Sequence, residues 1–103
     1  MTAVIKTVWE YEVSKSSLDD FLRAYEPNGD WAQLFLKCEG YLRTELHRDT
    51  KNEFRFLTID YWQSLELLNS MKQSIEIEYR LLDKICEDYT LSENHIGIFE
   101  EIA

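Results

Sequence analysis

The sequence predicts an α+β ferredoxin-like sandwich, with a four-stranded antiparallel sheet covered on one face by helices. Two observations lead there. Apolar residues alternate with a period of two in four segments, while between them they recur every three to four residues. The resulting order is β-α-(short α)-β-β-α-β, and right-handed strand-helix-strand crossovers bring such an order into one antiparallel sheet.

The first strand is read over Val4 to Val13, where Ile5, Trp9, Tyr11 and Val13 oppose Lys6, Glu10 and Glu12, with Val4 and Val8 joining the charged side. Ser16-Ser17, followed by Asp19 and Asp20, offers capping oxygens and first-turn carboxylates to a helix carrying Leu18, Phe21, Leu22 and Tyr25. Pro27-Asn28-Gly29 ends it. Asp30 then caps a short helix in which Trp31, Leu34, Phe35 and Cys38 share one stripe, and Gly40 stops that helix.

Tyr41 to Arg48 alternates again, with Leu42, Thr44 and Leu46 against Tyr41, Arg43, Glu45 and His47. A polar turn at Asp49 to Asn52 leads into a third strand, Phe54 to Trp62, where Leu57, Ile59 and Tyr61 oppose Phe56, Thr58 and Asp60. From Ser64 a long helix presents Leu68, Met71, Ile75, Leu82, Ile85 and Tyr89, with a break expected near Ser70 to Ser74. The last strand is read over His95 to Ile102, with Ile96, Ile98 and Ile102 alternating against His95, Gly97, Phe99 and Glu101.

The 103 residues suit one domain spanning 1–103, and 45% hydrophobic with 14% aromatic content is enough to fill a core. A net charge of -9, from 20 acidic against 11 basic residues, argues against a nucleic-acid partner, because affinity for phosphate backbones comes from clustered Lys and Arg. The chain shows neither a signal-peptide pattern nor an apolar run long enough for a membrane span, so a cytoplasmic location and no membrane partner are expected. Cys38 and Cys86 form no Cys-x-x-Cys pair and read as small apolar groups in helix stripes.

A sandwich of this kind leaves one sheet face uncovered. Val4, Val8, Tyr41, Phe54, Phe56, Trp62 and Phe99 are read onto that face, among Lys6, Glu10, Arg43, Glu45, Asp60 and His95. So apolar a face calls for a second copy, and a homodimer through the open sheet is expected.

On the covered face, Trp9 and Tyr61 are read as meeting in one cavity, as the candidate catalytic pair. Tyr11, Trp31, Phe35 and Met71 are read as ligand-binding, with Trp31 as a lid beside a flexible Gly29. Such a pocket suits a flat, small aromatic ligand; ordinary core packing is the competing account of the same aromatics. Glu10, Glu12, Glu45 and Asp60 are close enough in the expected sheet for one carboxyl to have a raised pKa, or else to pair with Arg43, Lys6 and Arg55. His47 and His95 have no Ser, Cys or second His at useful spacing.

Val8-Trp9-Glu10-Tyr11, Gly29 to Phe35, Glu39 to Leu46 and Leu57 to Ser64 together resemble the antibiotic biosynthesis monooxygenase superfamily in its dimeric α+β barrel form. The resemblance covers Thr7 to Tyr79 and implies a homodimer with a ligand cavity between sheet and helices in each subunit. It implies an antibiotic biosynthesis monooxygenase-like activity on a small aromatic or polyketide-like compound, with no metal or organic cofactor. A non-enzymatic ligand-binding dimer of the same fold is the alternative. A haem-binding relative is the weaker one, since strand one has no Asn and Ser64 to Tyr89 has no His.

Overall fold

The computed structural model describes residues 3–102. Four strands, β1 (Ile5–Val13), β2 (Tyr41–Arg48), β3 (Arg55–Trp62) and β4 (Thr90–Glu100), form one antiparallel sheet in the order β2-β3-β1-β4. Helices α1 (Leu18–Tyr25), α2 (Asp30–Phe35), α3 (Leu65–Ser74) and α4 (Glu76–Cys86) accompany it. This is the expected ferredoxin-like arrangement, with β1 and β3 at the centre. Among the described residues no helix is long and apolar enough to cross a membrane.

Local chemistry sets most boundaries. Ser64 caps α3, its Oγ accepting from the Leu67 amide at 3.2 Å. The expected break in the long helix falls at Ile75, whose backbone leaves the helical region at φ -129° while its side chain is buried. Ser70 and Ser74 donate their hydroxyls back to the carbonyls of Glu66 and Ser70, a pattern that loosens and bends a helix just before the break. Gly40 adopts φ +92°, which only glycine reaches without strain, and turns the chain from α2 into β2.

Other starts differ from expectation. Ser17 is the N-cap of α1, but its side chain makes no capping hydrogen bond, and residues 15–17 wind into a 3-10 turn ahead of the helix. Gly29, not Asp30, is the N-cap of α2, and it is buried. A Cβ there would sit 2.5 Å from the Arg23 carbonyl oxygen and 2.8 Å from that of Ala24, so the glycine permits a close approach of two chain segments and is not a flexible entry. Strand β4 starts at Thr90, five residues before the expected His95, because the exposed polar run there pairs with β1 without showing any apolar alternation.

The core lies between sheet and helices. An aromatic chain runs through it: Phe21 stacks on Tyr25 at 4.3 Å, Tyr25 lies 6.2 Å from Trp31, Trp31 lies 5.7 Å from Phe35, and Phe35 lies 5.7 Å from Trp62. Each such ring, fully buried, contributes about 1.5–3 kcal/mol. Cys38 and Cys86 are buried and free, and burial pushes the Cys86 thiol up to about 11, so the two behave as the small apolar groups expected.

The register corrects the assignment of sheet faces. Ile5 pairs with Trp62, Thr7 with Asp60, Trp9 with Thr58 and Tyr11 with Phe56, and this set faces the helices. Phe56 and Trp62, expected on the open face, are 3% and 0% exposed and belong to the core. Tyr61, expected beneath the helices, lies on the open face with Leu57 and Ile59. Both faces of β3 carry large apolar groups, so alternation alone does not orient it; pairing with β1 does.

Irregularities in the two edge strands move two more side chains. A register shift between Tyr41 and Arg43 brings Tyr41 to the helix side, against Phe35 and Trp62, while Leu42 is exposed. A second shift, opposite Val8 and Trp9, places His95 beside Trp9.

Candidate functional site

The helix-facing centre of the sheet is polar. Thr7, Thr44, Thr58 and Asp60 are buried there, in the middle of an aromatic core. Burial of polar groups costs free energy unless they are satisfied, so a polar island here marks a place where the sequence departs from packing for another purpose.

Two chambers open on this island. The smaller, of about 60 Å³, is lined by Trp9, Tyr11, Tyr25, Trp31 and Phe35 on its aromatic side and by Thr44, Thr58 and Asp60 at the sheet, with Asp83 and Glu93 also on its wall. The larger, of about 410 Å³, runs under α3 along Leu68, Asn69, Met71 and Lys72, over Trp62 and Thr7, to His95 and Ile98. Trp9, Phe35, Asp60 and Tyr79 line both. A cavity of about 150 Å³ accommodates benzene. By that measure an aromatic ring enters the larger chamber and not the smaller.

Asp60 is the electrostatic centre. It is 8% exposed, and burial lifts its carboxyl to about 6. The Thr44 hydroxyl opposes that shift by donating to Asp60 Oδ1 at 2.5 Å. Tyr41 Oη lies 2.6 Å from Thr44 Oγ1, so three groups form a chain from half-buried Tyr41 to the chamber floor. The phenols around Asp60 hold their protons: burial pushes Tyr79 up to about 12, and Tyr11 higher still. They are donors, which leaves the carboxylate as the acceptor among them.

Several further groups converge. His95 Nε2 lies 3.1 Å from Thr7 Oγ1, and its ring stacks on Trp9 at 4.6 Å. The buried Nε1 atoms of Trp31 and Trp62 have no acceptor among the described residues. Lys72 Nζ sits over the Tyr79 ring, 5.0 Å from its centroid. No group of three or more His, Cys, Asp or Glu side chains capable of holding a metal is found among the described residues.

Of the residues singled out from sequence, Trp9, Tyr11, Trp31 and Phe35 line the smaller chamber, Trp9 and Phe35 also line the larger, and Met71 lines the larger. Trp31 is buried against Phe35 and Tyr79, forming a wall in place of the expected lid. Tyr61 reaches neither chamber. Its ring lies between Lys6 and Arg43, 5.2 and 4.0 Å from its centroid, and its hydroxyl donates to Glu45 at 3.1 Å. The pairing of Trp9 with Tyr61 is therefore replaced by that of Trp9 with Thr58 and Asp60.

Sequence reasoning passed over Thr44, Thr58 and Tyr79, and grouped Asp60 with charges that prove to be on the other face. The usable signal was Thr58-x-Asp60 flanked by Phe56 and Trp62: two polar residues sharing the side of a strand whose ends are both large aromatics. Glu10 and Glu45 belong to the open face, where Arg55 pairs with Glu10 and Asp49, and Arg43 with Glu45 at 2.6 Å.

A family model for antibiotic biosynthesis monooxygenase matches residues 4–78. Solved structures are similar over nearly the whole chain. SnoaB, a cofactor-independent oxygenase from Streptomyces nogalater, is 14% identical with a TM-score of 0.74, covering 99% of this chain and 96% of that one. A conserved protein from Methanosarcina mazei Go1 is 15% identical with a TM-score of 0.75, covering 98% and 95%. PA3566 from Pseudomonas aeruginosa is 13% identical with a TM-score of 0.72, covering 100% and 98%. At these identities the likeness shows the fold. No curated protein matches the chain.

Proposed function

The chain belongs to the antibiotic biosynthesis monooxygenase family, and from that premise we propose that it oxidises a small aromatic or polyketide-like compound with dioxygen, using no metal or organic cofactor. The observation that carries the reading is Asp60, a buried carboxylate that lines both aromatic chambers and is raised to about 6. A base of that strength is largely ionised at neutral pH yet takes a proton readily, the compromise that general base catalysis needs.

The step suits a phenol with an acidic CH₂ group, such as an anthrone. Asp60 takes a proton, and the electron-rich carbanion passes one electron to dioxygen. The two radicals join in a C–O bond, the proton returns to give a hydroperoxide, and loss of water leaves a carbonyl. One CH₂ and one O₂ become one C=O and one H₂O. Trp9, Phe35 and Tyr79 hold the ring and exclude water, while Tyr11 and Trp31 wall the smaller chamber behind it. Oxygen uptake with anthrone, measured for the wild type and for Asp60→Asn, tests this. Uptake is expected only with the carboxylate; equal rates for both proteins would overturn the assignment of the base. Binding of the ring without oxygen uptake would favour a non-enzymatic ligand carrier.

The open sheet face supports a homodimer as the working unit. Val8 pairs with Ile59 across its centre, beside Leu57, Tyr61 and Phe99, in a chain too small to leave such a surface wet.

A further inference from the structure

Thr7 shares the floor of the larger chamber with Asp60. The two are paired directly across β1 and β3, which sets their Cβ atoms about 5 Å apart on the helix-facing side. Their hydrogen bonds nevertheless run in opposite directions: Asp60 accepts from Thr44, whereas Thr7 Oγ1 lies 3.1 Å from His95 Nε2. A valine would fill the Thr7 position without burying a hydroxyl in an aromatic core, so the hydroxyl has a use other than packing. His95 reaches it from the edge strand. β4 is bulged opposite Val8 and Trp9, and the bulge lays the imidazole on Trp9 at the wall of the larger chamber. His95 is also exposed, so its ring exchanges protons with water while Nε2 is engaged with Thr7. With the proton on Nε2, the ring donates to Thr7 Oγ1 and leaves the threonine hydroxyl proton free to enter the chamber.

We propose that Thr7, backed by His95, is the proton donor that breaks the O–O bond of the hydroperoxide. This rests on the oxygenation reading above and assigns the loss of water within it. Asp60 takes the remaining C–H proton, the freed electron pair forms the C=O bond as the O–O bond breaks, and the distal oxygen leaves with the Thr7 hydroxyl proton as water. The Nε2 proton of His95 restores Thr7, and the ring takes its replacement at Nδ1 from solvent. One proton enters through His95 for the one that Asp60 accepts and then gives up, so the hydroperoxide yields one carbonyl and one water. Base and donor act from neighbouring strands on the two ends of H–C–O–O, the arrangement that concerted elimination needs. Tyr11 and Tyr79 also border the site, but burial weakens both as acids.

Anthrone is again the probe, in a single turnover with enzyme in excess. Oxygen uptake and quinone absorbance are followed together, and peroxide is assayed after an acid quench. In the wild type the quinone should form in step with oxygen uptake. In Thr7→Val quinone formation should fall about a hundredfold behind uptake, the scale of a lost general acid, and the hydroperoxide should accumulate. Thr7→Ser should restore the coupling, which it would not do for a packing defect. His95→Gln keeps a hydrogen-bond donor but cannot relay a proton, so it should lag as Thr7→Val does. It lies exposed on the edge strand and carries the test even if Thr7→Val does not fold. Quinone in step with uptake in Thr7→Val or in His95→Gln, or a lag that serine does not repair, overturns the assignment and leaves Asp60 standing as the base. A wild type that takes up no oxygen removes the oxygenation reading, and this inference with it.

Discussion

Thr44 Oγ1 donates to Asp60 Oδ1 across 2.5 Å, joining an edge strand to the central carboxylate. The bond acts on the ionised acid, so it holds the proton affinity of Asp60 below what burial alone would produce. Thr44→Val keeps the shape and removes the donor. The apparent pKa of Asp60 should then rise above about 6, and the acid limb of the oxygenation rate should move to higher pH by the same amount. Infrared titration of the Asp60 carboxyl, paired with a pH-rate profile, reads both. A carboxyl band that titrates as in the wild type would show that the hydroxyl has no hold on it.

Asp60 also makes a prediction for stability. Its folded pKa of about 6 lies above the ordinary 3.8, so between those values the folded chain binds more protons than the unfolded one. Stability therefore falls as pH rises through that window, and above it the ionised carboxylate costs about 3 kcal/mol. Asp60→Asn removes the charge. It should raise the melting temperature at pH 8, leave it little changed at pH 4, and abolish turnover. Such a trade is expected where a site is kept at the expense of packing. Urea melts at the two pH values test it, and an Asn variant no more stable at pH 8 than the wild type would contradict the burial cost.

The fold was legible because its elements repeat simple periods: Ile5, Trp9, Tyr11 and Val13 on one side of β1, and the serine-capped α3 breaking at Ile75. The site was half legible. Trp9, Tyr11, Trp31 and Phe35 announce an aromatic wall by their bulk, but Asp60 looks like an ordinary outward polar residue until the register with β1 turns it inward, and Thr44, already opposite the open face by alternation, gives no sign of its bond to Asp60. Tyr41 and His95 were misplaced for a different reason. Each lies beside a register shift, and one extra residue in a strand reverses the face of whatever lies beyond it. No alternation rule detects such a shift in advance. In this sheet the shifts bring Tyr41 to Thr44 and His95 to Trp9, both at the site.

Assembly is the remaining prediction, and the register decides which residue probes it. Phe56 is packed against Phe21, 5.1 Å between ring centroids, so changing it would unfold the core and say nothing of a partner. Ile59 is the better probe. It sits on the open face between Val8 of β1 and Glu45 of β2, at the centre of the surface proposed to meet a second copy. An aspartate there costs a monomer, whose face is wet, only the screened repulsion of Glu45 opposite, but in a dimer it places an unpaired charge in a desolvated seam at a cost of several kcal/mol. Ile59→Asp should therefore sediment as a monomer with its far-ultraviolet circular dichroism intact, while the wild type sediments as a dimer at micromolar concentration. A wild-type monomer at that concentration would remove the second copy from the picture, and the open face would then need another occupant.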